Sequence, residues 1–177
     1  MHLTGKQFEN LCTYRMAKEQ ENGRGWMKRA GVNGAQLIGR SELNKDRVDF
    51  VGEAEGQPFK FDAKVCSQSK FDIGQGQDMK RGQYDELKAF HGVAFLLINF
   101  NPRQLAQVRT DAATYAFPIQ CEFWQGYESG ETKSINRADC LKWAVPVRWN
   151  VVGRRGRKLS PDIVRAVKEL VCLTTPV

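Results

Sequence analysis

Residues 59–65 read Phe59-Lys60-Phe61-Asp62-Ala63-Lys64-Val65, and a second strand-like run, Arg47-Val48-Asp49-Phe50-Val51, precedes them. Side chains alternate between the two faces of a strand, so the apolar residues of 59–65 share the face toward the core. Lys60, Asp62 and Lys64 share the other face. Residues 53–57 (EAEGQ) predict a turn, so the two runs form a hairpin that brings Asp49 close to Asp62.

This pair of carboxylates predicts a metal site. Two carboxylates held together repel each other unless a cation joins them, and hard oxygen ligands with open positions suit Mg²⁺, with Mn²⁺ expected to substitute. Lys64, two residues on, could orient or help deprotonate a water and stabilise charge on a phosphate. These are the parts needed to hydrolyse a phosphodiester. The alternative is a charged edge strand without a site.

The rest of the chain predicts one α/β domain with a mixed sheet flanked by helices. A capping box at Thr4 opens a helix to about Glu21, and Ser160-Pro161-Asp162 opens the last helix with Ser160 as its cap. The stretches between them predict the following elements: a loop over 67–78, a helix over 80–90, a buried strand over 93–100, a helix over 118–127 and a strand pair over 143–152.

The charge pattern favours a polyanionic partner. The formal net charge is +7, and basic residues cluster in 23–40, which contains no acid, and in 153–158. We expect the following side chains to contact DNA phosphates: Arg24, Lys28, Arg29, Arg40, Arg154, Arg155, Arg157 and Lys158. Lys60 is expected to be a phosphate contact or a solvated rim residue. A merely soluble basic surface is the alternative.

Other classes of function receive little support from the sequence. The five cysteines are scattered without a CxxC pair, so we expect reduced core thiols and neither a zinc site nor a thiol nucleophile. No stretch approaches the roughly eighteen apolar residues of a membrane span, and the first residues do not read as a secretion signal. We therefore expect a cytoplasmic protein, in a bacterium or a phage-infected host cell, with no organic cofactor.

Several segments together resemble the RecU-type Holliday junction resolvases of the PD-(D/E)xK, restriction-endonuclease-like superfamily. The matching segments are Gly5-Lys6-Gln7-Phe8-Glu9, Val48-Asp49-Phe50-Val51-Gly52, Phe61-Asp62-Ala63-Lys64, Gln83, and the strand that follows His91-Gly92. The resemblance covers roughly residues 3 to 100. We identify no counterpart after residue 110, so residues 1–110 are predicted to be a nuclease core. Residues 111–177 are then an extension of the same domain, a dimer element or DNA clamp.

The resemblance implies a role for each matching residue. Asp49, Asp62 and the Ala63 carbonyl would bind Mg²⁺, Lys64 would be catalytic, and Glu9 and Gln83 would assist at the site. Asp62 stands where the family usually has glutamate, and residues 30–45, which correspond to the family's stalk, are short here.

The function implied by the resemblance is symmetric cleavage of four-way junctions by a homodimer. The alternatives are a nuclease of the same fold acting on flaps, nicks or a restriction site, and an inactive DNA-binding accessory module.

Overall fold

A computed structural model describes residues 4–29, 48–73, 79–100, 114–152 and 158–174. The helices are α1 (Gly5–Glu21), α2 (Arg81–Lys88), α3 (Phe123–Glu128), α4 (Arg137–Trp143) and α5 (Ile163–Thr174). The strands are β1 (Gly25–Arg29), β2 (Phe50–Ala54), β3 (Gln57–Cys66), β4 (Lys70–Asp72), β5 (Val93–Phe100), β6 (Thr114–Pro118), β7 (Ser134–Asn136), β8 (Val145–Pro146), β9 (Trp149–Val152) and β10 (Lys158–Pro161).

Six of these strands form the main sheet, in the order β1-β2-β3-β5-β6-β8. Strands β3 and β5 are parallel, with α2 as their crossover, and the other neighbours are antiparallel. The prediction of an α/β domain with a mixed sheet flanked by helices is confirmed. Strands β6 and β8 follow residue 110 and yet belong to this sheet, which also contains the strands of the first half.

Helices cover the sheet on both faces. On one face α1 and α5 pack against β2, β3 and β5 through a continuous apolar cluster that includes Phe8, Phe61 and Val167. On the other face α2, α3 and α4 pack through a second cluster that includes Leu87, Leu96 and Trp124. Strand β3 therefore has a helix layer on each side, which leaves Asp62 buried although its face was predicted to lie away from the core.

The β2–β3 hairpin turns through two residues, Glu55 and Gly56. Both have positive φ, 49° and 83°, which is the geometry of the two-residue turns that match strand twist. The turn is tighter than the predicted five-residue one. Strand β2 begins at Phe50, later than the predicted Arg47, which lies outside the described residues, and Phe50 pairs with Phe61. Asp49 therefore immediately precedes β2. Continuing the same register by one residue places it opposite Asp62.

Both predicted terminal helices are present, with one correction. Thr4 caps α1 in a capping box with Gln7, as predicted. The cap of α5 is Asp162, whose Oδ1 accepts the Arg165 N–H at 3.2 Å. Ser160 pairs with Asn150 in β10, so strand pairing overrides the local signal for a serine cap.

Between the terminal helices the predictions hold in part. The helix before β5 and the strand β5 itself, Val93–Phe100, are confirmed. The predicted loop over 67–78 contains β4, which pairs with β7. The predicted helix over 118–127 is a shorter one, α3, after the end of β6, and α4 was missed. In the described part of the chain no helix is long and apolar enough to cross a membrane.

Candidate functional site

The two predicted carboxylates meet where β2 begins beside β3. The Asp49 Oδ2 accepts the backbone N–H of Ala63 at 2.9 Å, which ties this side chain across the hairpin to the residue after Asp62. Asp62 is fully buried, with 0% of its surface exposed. The hairpin therefore performs the predicted task of placing one carboxylate beside the other.

Lys64 and Gln83 complete the surroundings of Asp62. The Lys64 Nζ lies 2.7 Å from Asp62 Oδ2 and donates to Gln83 Oε1 at 3.3 Å. The Gln83 Nε2 donates to Asp62 Oδ1 at 3.1 Å, and the Lys80 N–H donates to Gln83 Oε1 at 3.2 Å. Gln83 thus orients both the carboxylate and the lysine, since its amide donates to one and accepts from the other.

Burial sets the electrostatics of this group. Loss of water around Asp62 raises the pKa of its carboxyl to about 8, and the charge of Asp49 adds to the rise while Lys64 opposes it. A hydrogen bond between Asp49 and Asp62 contributes to the same shift. Without a metal ion Asp62 therefore retains its proton near neutral pH.

Glu9, on α1, lies near enough to Asp49 and Lys64 for their charges to act on it. Burial raises the pKa of Glu9, and the next largest cause is the charge of Asp49, with Arg29 and Lys64 lowering it. The Arg29 guanidinium lies 3.1 Å from Glu9 Oε2. The structure thus brings together Glu9, Asp49, Asp62, Lys64 and Gln83, all predicted site residues.

The chemistry of these donors fits Mg²⁺ better than a softer metal. Among the described residues no group of three or more His, Cys, Asp or Glu side chains is arranged to hold an ion. Two oxygen ligands, Asp49 and Asp62, with positions left for water and phosphate are the usual protein share of a Mg²⁺ site. The buried Asp62 Oδ2 already contacts one cation, the Lys64 ammonium at 2.7 Å. The Ala63 carbonyl stays a predicted ligand.

The predicted DNA contacts fall into two groups. Arg24, Lys28 and Arg29 lie at or beside the edge strand β1, but Arg24 is 2.6 Å from Glu19 and Arg29 pairs with Glu9 and Asn10. Lys28 is exposed. The other predicted contacts, Arg40, Arg154, Arg155, Arg157 and the side chain of Lys158, lie outside the described residues, as does the whole predicted stalk.

Lys60 does not project freely toward solvent. Its Nζ lies 2.8 Å from Glu86 Oε1, and its side chain is only 17% exposed. Glu86 was missed in the sequence, although a signal existed. Three residues after Gln83 on a helix, Glu86 lies on the same side of α2, which faces the β2–β3 hairpin.

The cysteines behave as expected of reduced thiols among the described residues. All five are free, with Cys12, Cys66 and Cys140 buried. Burial raises the pKa of Cys12, and the nearby charges of Asp49 and Glu9 raise it further. A thiol that resists ionisation is a poor nucleophile.

A family model described as Recombination protein U (RecU) matches residues 35–152. The match contains Asp49, Asp62, Lys64 and Gln83 but not Glu9. It continues past residue 110, so the interpretation that the family likeness stops there is wrong. No curated protein sequence matches the chain.

Among solved structures, the chain is similar to Hjc of Archaeoglobus fulgidus, a Holliday junction resolvase from an archaeal hyperthermophile. The likeness has 13% sequence identity and a TM-score of 0.46, and it covers 80% of this chain and 95% of that one. A likeness this distant supports no statement about the site.

Proposed function

This chain belongs to the RecU family of recombination proteins, and on that premise we propose that it is a metal-dependent Holliday junction resolvase. The observation that carries the proposal is the buried Asp62, held within one cluster by Lys64 and Gln83 and facing Asp49. A buried carboxyl beside a second carboxylate, with a pKa raised by burial, is typical of a functional site. Family membership favours branched DNA as the substrate, and the side chains around Asp62 favour metal-dependent hydrolysis.

Each side chain has a role in phosphodiester hydrolysis. Asp49 and Asp62, with the Ala63 carbonyl, would hold Mg²⁺, which when bound supplies Lewis-acid activation of water and neutralises phosphate charge. Lys64 Nζ can turn from Asp62 to the attacking water or to a phosphate oxygen, where its charge stabilises the transition state. Gln83 holds Lys64 and Asp62 in register, and Glu9 helps to place the water. Water loses a proton and adds to phosphorus as the bond to the leaving deoxyribose oxygen breaks, and that oxygen takes up a proton, which leaves a hydroxyl end and a phosphate end.

We further propose that the enzyme acts as a homodimer. Two copies of one site related by a twofold axis would cut opposing strands of a junction that is itself nearly symmetric. Lys28, together with the basic residues of 153–158, would contact phosphate backbones and read shape and not base sequence.

Cleavage of a synthetic four-way junction tests the proposal directly. Linear duplex, flap and single strand of matched sequence are incubated beside the junction with Mg²⁺, Mn²⁺ or EDTA. Asp62→Ala and Lys64→Ala are compared with Asp85→Ala and Lys168→Ala, which remove exposed members of surface ion pairs on α2 and on the opposite sheet face. We expect paired, symmetric nicks in the junction that require a divalent cation. The rate of cleavage should fall by at least about 100-fold in the two site variants and stay unchanged in the two controls.

Other outcomes would change the assignment. Equal cutting of all four substrates would leave a nuclease of this family without junction selectivity. Tight junction binding that ignores Mg²⁺, with no cutting by the wild type, would identify an inactive accessory module and overturn the proposed function.

A further inference from the structure

Glu86 connects helix α2 to the backbone just before Asp49. Its Oε2 accepts the Val48 N–H at 3.2 Å, and its Oε1 accepts from Lys60 Nζ at 2.8 Å. Val48 precedes the first residue of β2 by two positions, so its N–H lies outside the β2–β3 ladder. Val48 is buried, and a buried N–H needs a partner. Glu86 supplies one.

This contact fixes the carboxylate that follows. The Ala63 N–H holds the Asp49 side chain. Glu86 holds the backbone of the preceding residue, Val48. The same helix presents Gln83 to Asp62. Helix α2 therefore contacts the chain at both carboxylates, and it fixes the separation of Asp49 from Asp62. The single hydrogen bond from Ala63 to Asp49 would leave that separation adjustable.

Lys60 belongs to this arrangement and not to the DNA surface. Its ammonium contacts one oxygen of Glu86 and lies over the Phe90 ring, 5.5 Å from the centroid. Glu86 itself is 29% exposed at its side chain, so the pair is partly shielded from solvent. By occupying Oε1, Lys60 keeps the rotamer of Glu86 that aims Oε2 at Val48.

We propose that Glu86 is a positioning residue for the metal ligand Asp49, and that Lys60 orients Glu86 instead of contacting phosphate. The proposal rests on the proposed function in one respect, namely that Asp49 binds the cation. Partners of metal ligands typically change metal affinity or activity by about 10–100-fold when they are removed.

The test compares Glu86→Ala with Glu86→Gln and with Asp85→Ala, its exposed neighbour on α2. Glutamine retains an oxygen that can accept the Val48 N–H, whereas alanine does not. Three quantities are measured: hydrogen exchange of the Val48 amide in EDTA, the Mg²⁺ concentration that gives half of the increase in Tm, and the Mg²⁺ concentration for half-maximal junction cleavage.

We expect Glu86→Ala to accelerate Val48 exchange and to raise both Mg²⁺ midpoints by about 10-fold or more. Glu86→Gln should stay close to the wild type, and Asp85→Ala should match it. Equal midpoints in Glu86→Ala and Asp85→Ala would overturn the positioning role. A wild type without any response to Mg²⁺ would refute the proposed function. In that case, faster exchange of the Val48 amide in Glu86→Ala would still show that Glu86 holds this part of the backbone.

Lys60→Met tests the second part and keeps the proposal falsifiable if Glu86→Ala does not fold. We expect the dependence of junction binding on salt, measured in EDTA, to equal that of the wild type, while the Mg²⁺ midpoints rise. A phosphate contact would instead lower the salt slope by about 1, and that result would return Lys60 to the DNA surface and overturn its role beside Glu86.

Discussion

Phe61 and Asp62 are adjacent in β3 and equally buried, each with 0% exposed surface, yet their surroundings differ completely. Phe61 stacks between Phe50 and Phe95, with ring centroids 4.9 Å away on both sides. Asp62, on the opposite face, meets the charged and polar groups of the site. Burial therefore stabilises the fold at one residue and opposes it at the next, since a buried carboxylate loses its hydration. The strand therefore carries a stabilising apolar ring on one face and a buried carboxyl that costs stability on the other.

The largest effect is expected on the Phe61 face. Phe61→Ala removes the central ring of the stack and leaves a cavity, so the free energy of unfolding should fall by about 3–5 kcal/mol, measured by urea unfolding in EDTA. Leu141→Ala, at a position that is 76% exposed, is the control and should change it by about 0.5 kcal/mol or less. A similarly small loss in Phe61→Ala would mean that the stack does not stabilise the sheet.

On the Asp62 face, Gln83→Ala should affect the cation more than the fold. The substitution removes the amide that orients Asp62 and Lys64, so the Mg²⁺ concentration for half-maximal cleavage should rise by about 10–100-fold. Gln125→Ala, an exposed glutamine on α3, is the matched control. If both variants needed the same Mg²⁺ concentration as the wild type, Gln83 would be a structural neighbour of the site only.

The smallest effect, when it is measured over one pH unit, is a dependence of stability on pH. The folded-state pKa of Asp62 is raised from 3.8 to about 8, so between these values the folded protein holds a proton that the unfolded chain releases. Stability without metal should therefore fall as pH rises through this window, by up to about 1.4 kcal/mol per pH unit. Asp62→Asn should flatten that slope in urea unfolding with EDTA, whereas Asp85→Asn should not. An unchanged slope in Asp62→Asn would place its origin elsewhere.

Local pattern was enough to predict the hairpin and its carboxylates. The alternation in 59–65 depends only on strand geometry, and the turn after Ala54 fixes which residues face each other. Glu9 and Gln83 were found by resemblance alone. Their side chains reach the site from helices whose packing no local pattern describes.

The missed features depend on tertiary contacts. Ser160 has the sequence of a helix cap, but its pairing with Asn150 keeps it in a strand. The ion pair of Lys60 with Glu86 was missed as well, because Glu86 lies beside Lys60 only through the packing of α2 on β3. In both cases a residue's local preference is outweighed by a partner distant in the chain.

Strand β8 has a consequence for how copies of this protein can meet. It forms one edge of the main sheet, is two residues long, and ends in Pro146, which has no N–H to offer another strand. Short edges and prolines of this kind oppose the addition of foreign strands and hence fibrous aggregation. In the described part of the chain this edge therefore favours association through side chains over pairing of its backbone with a second molecule.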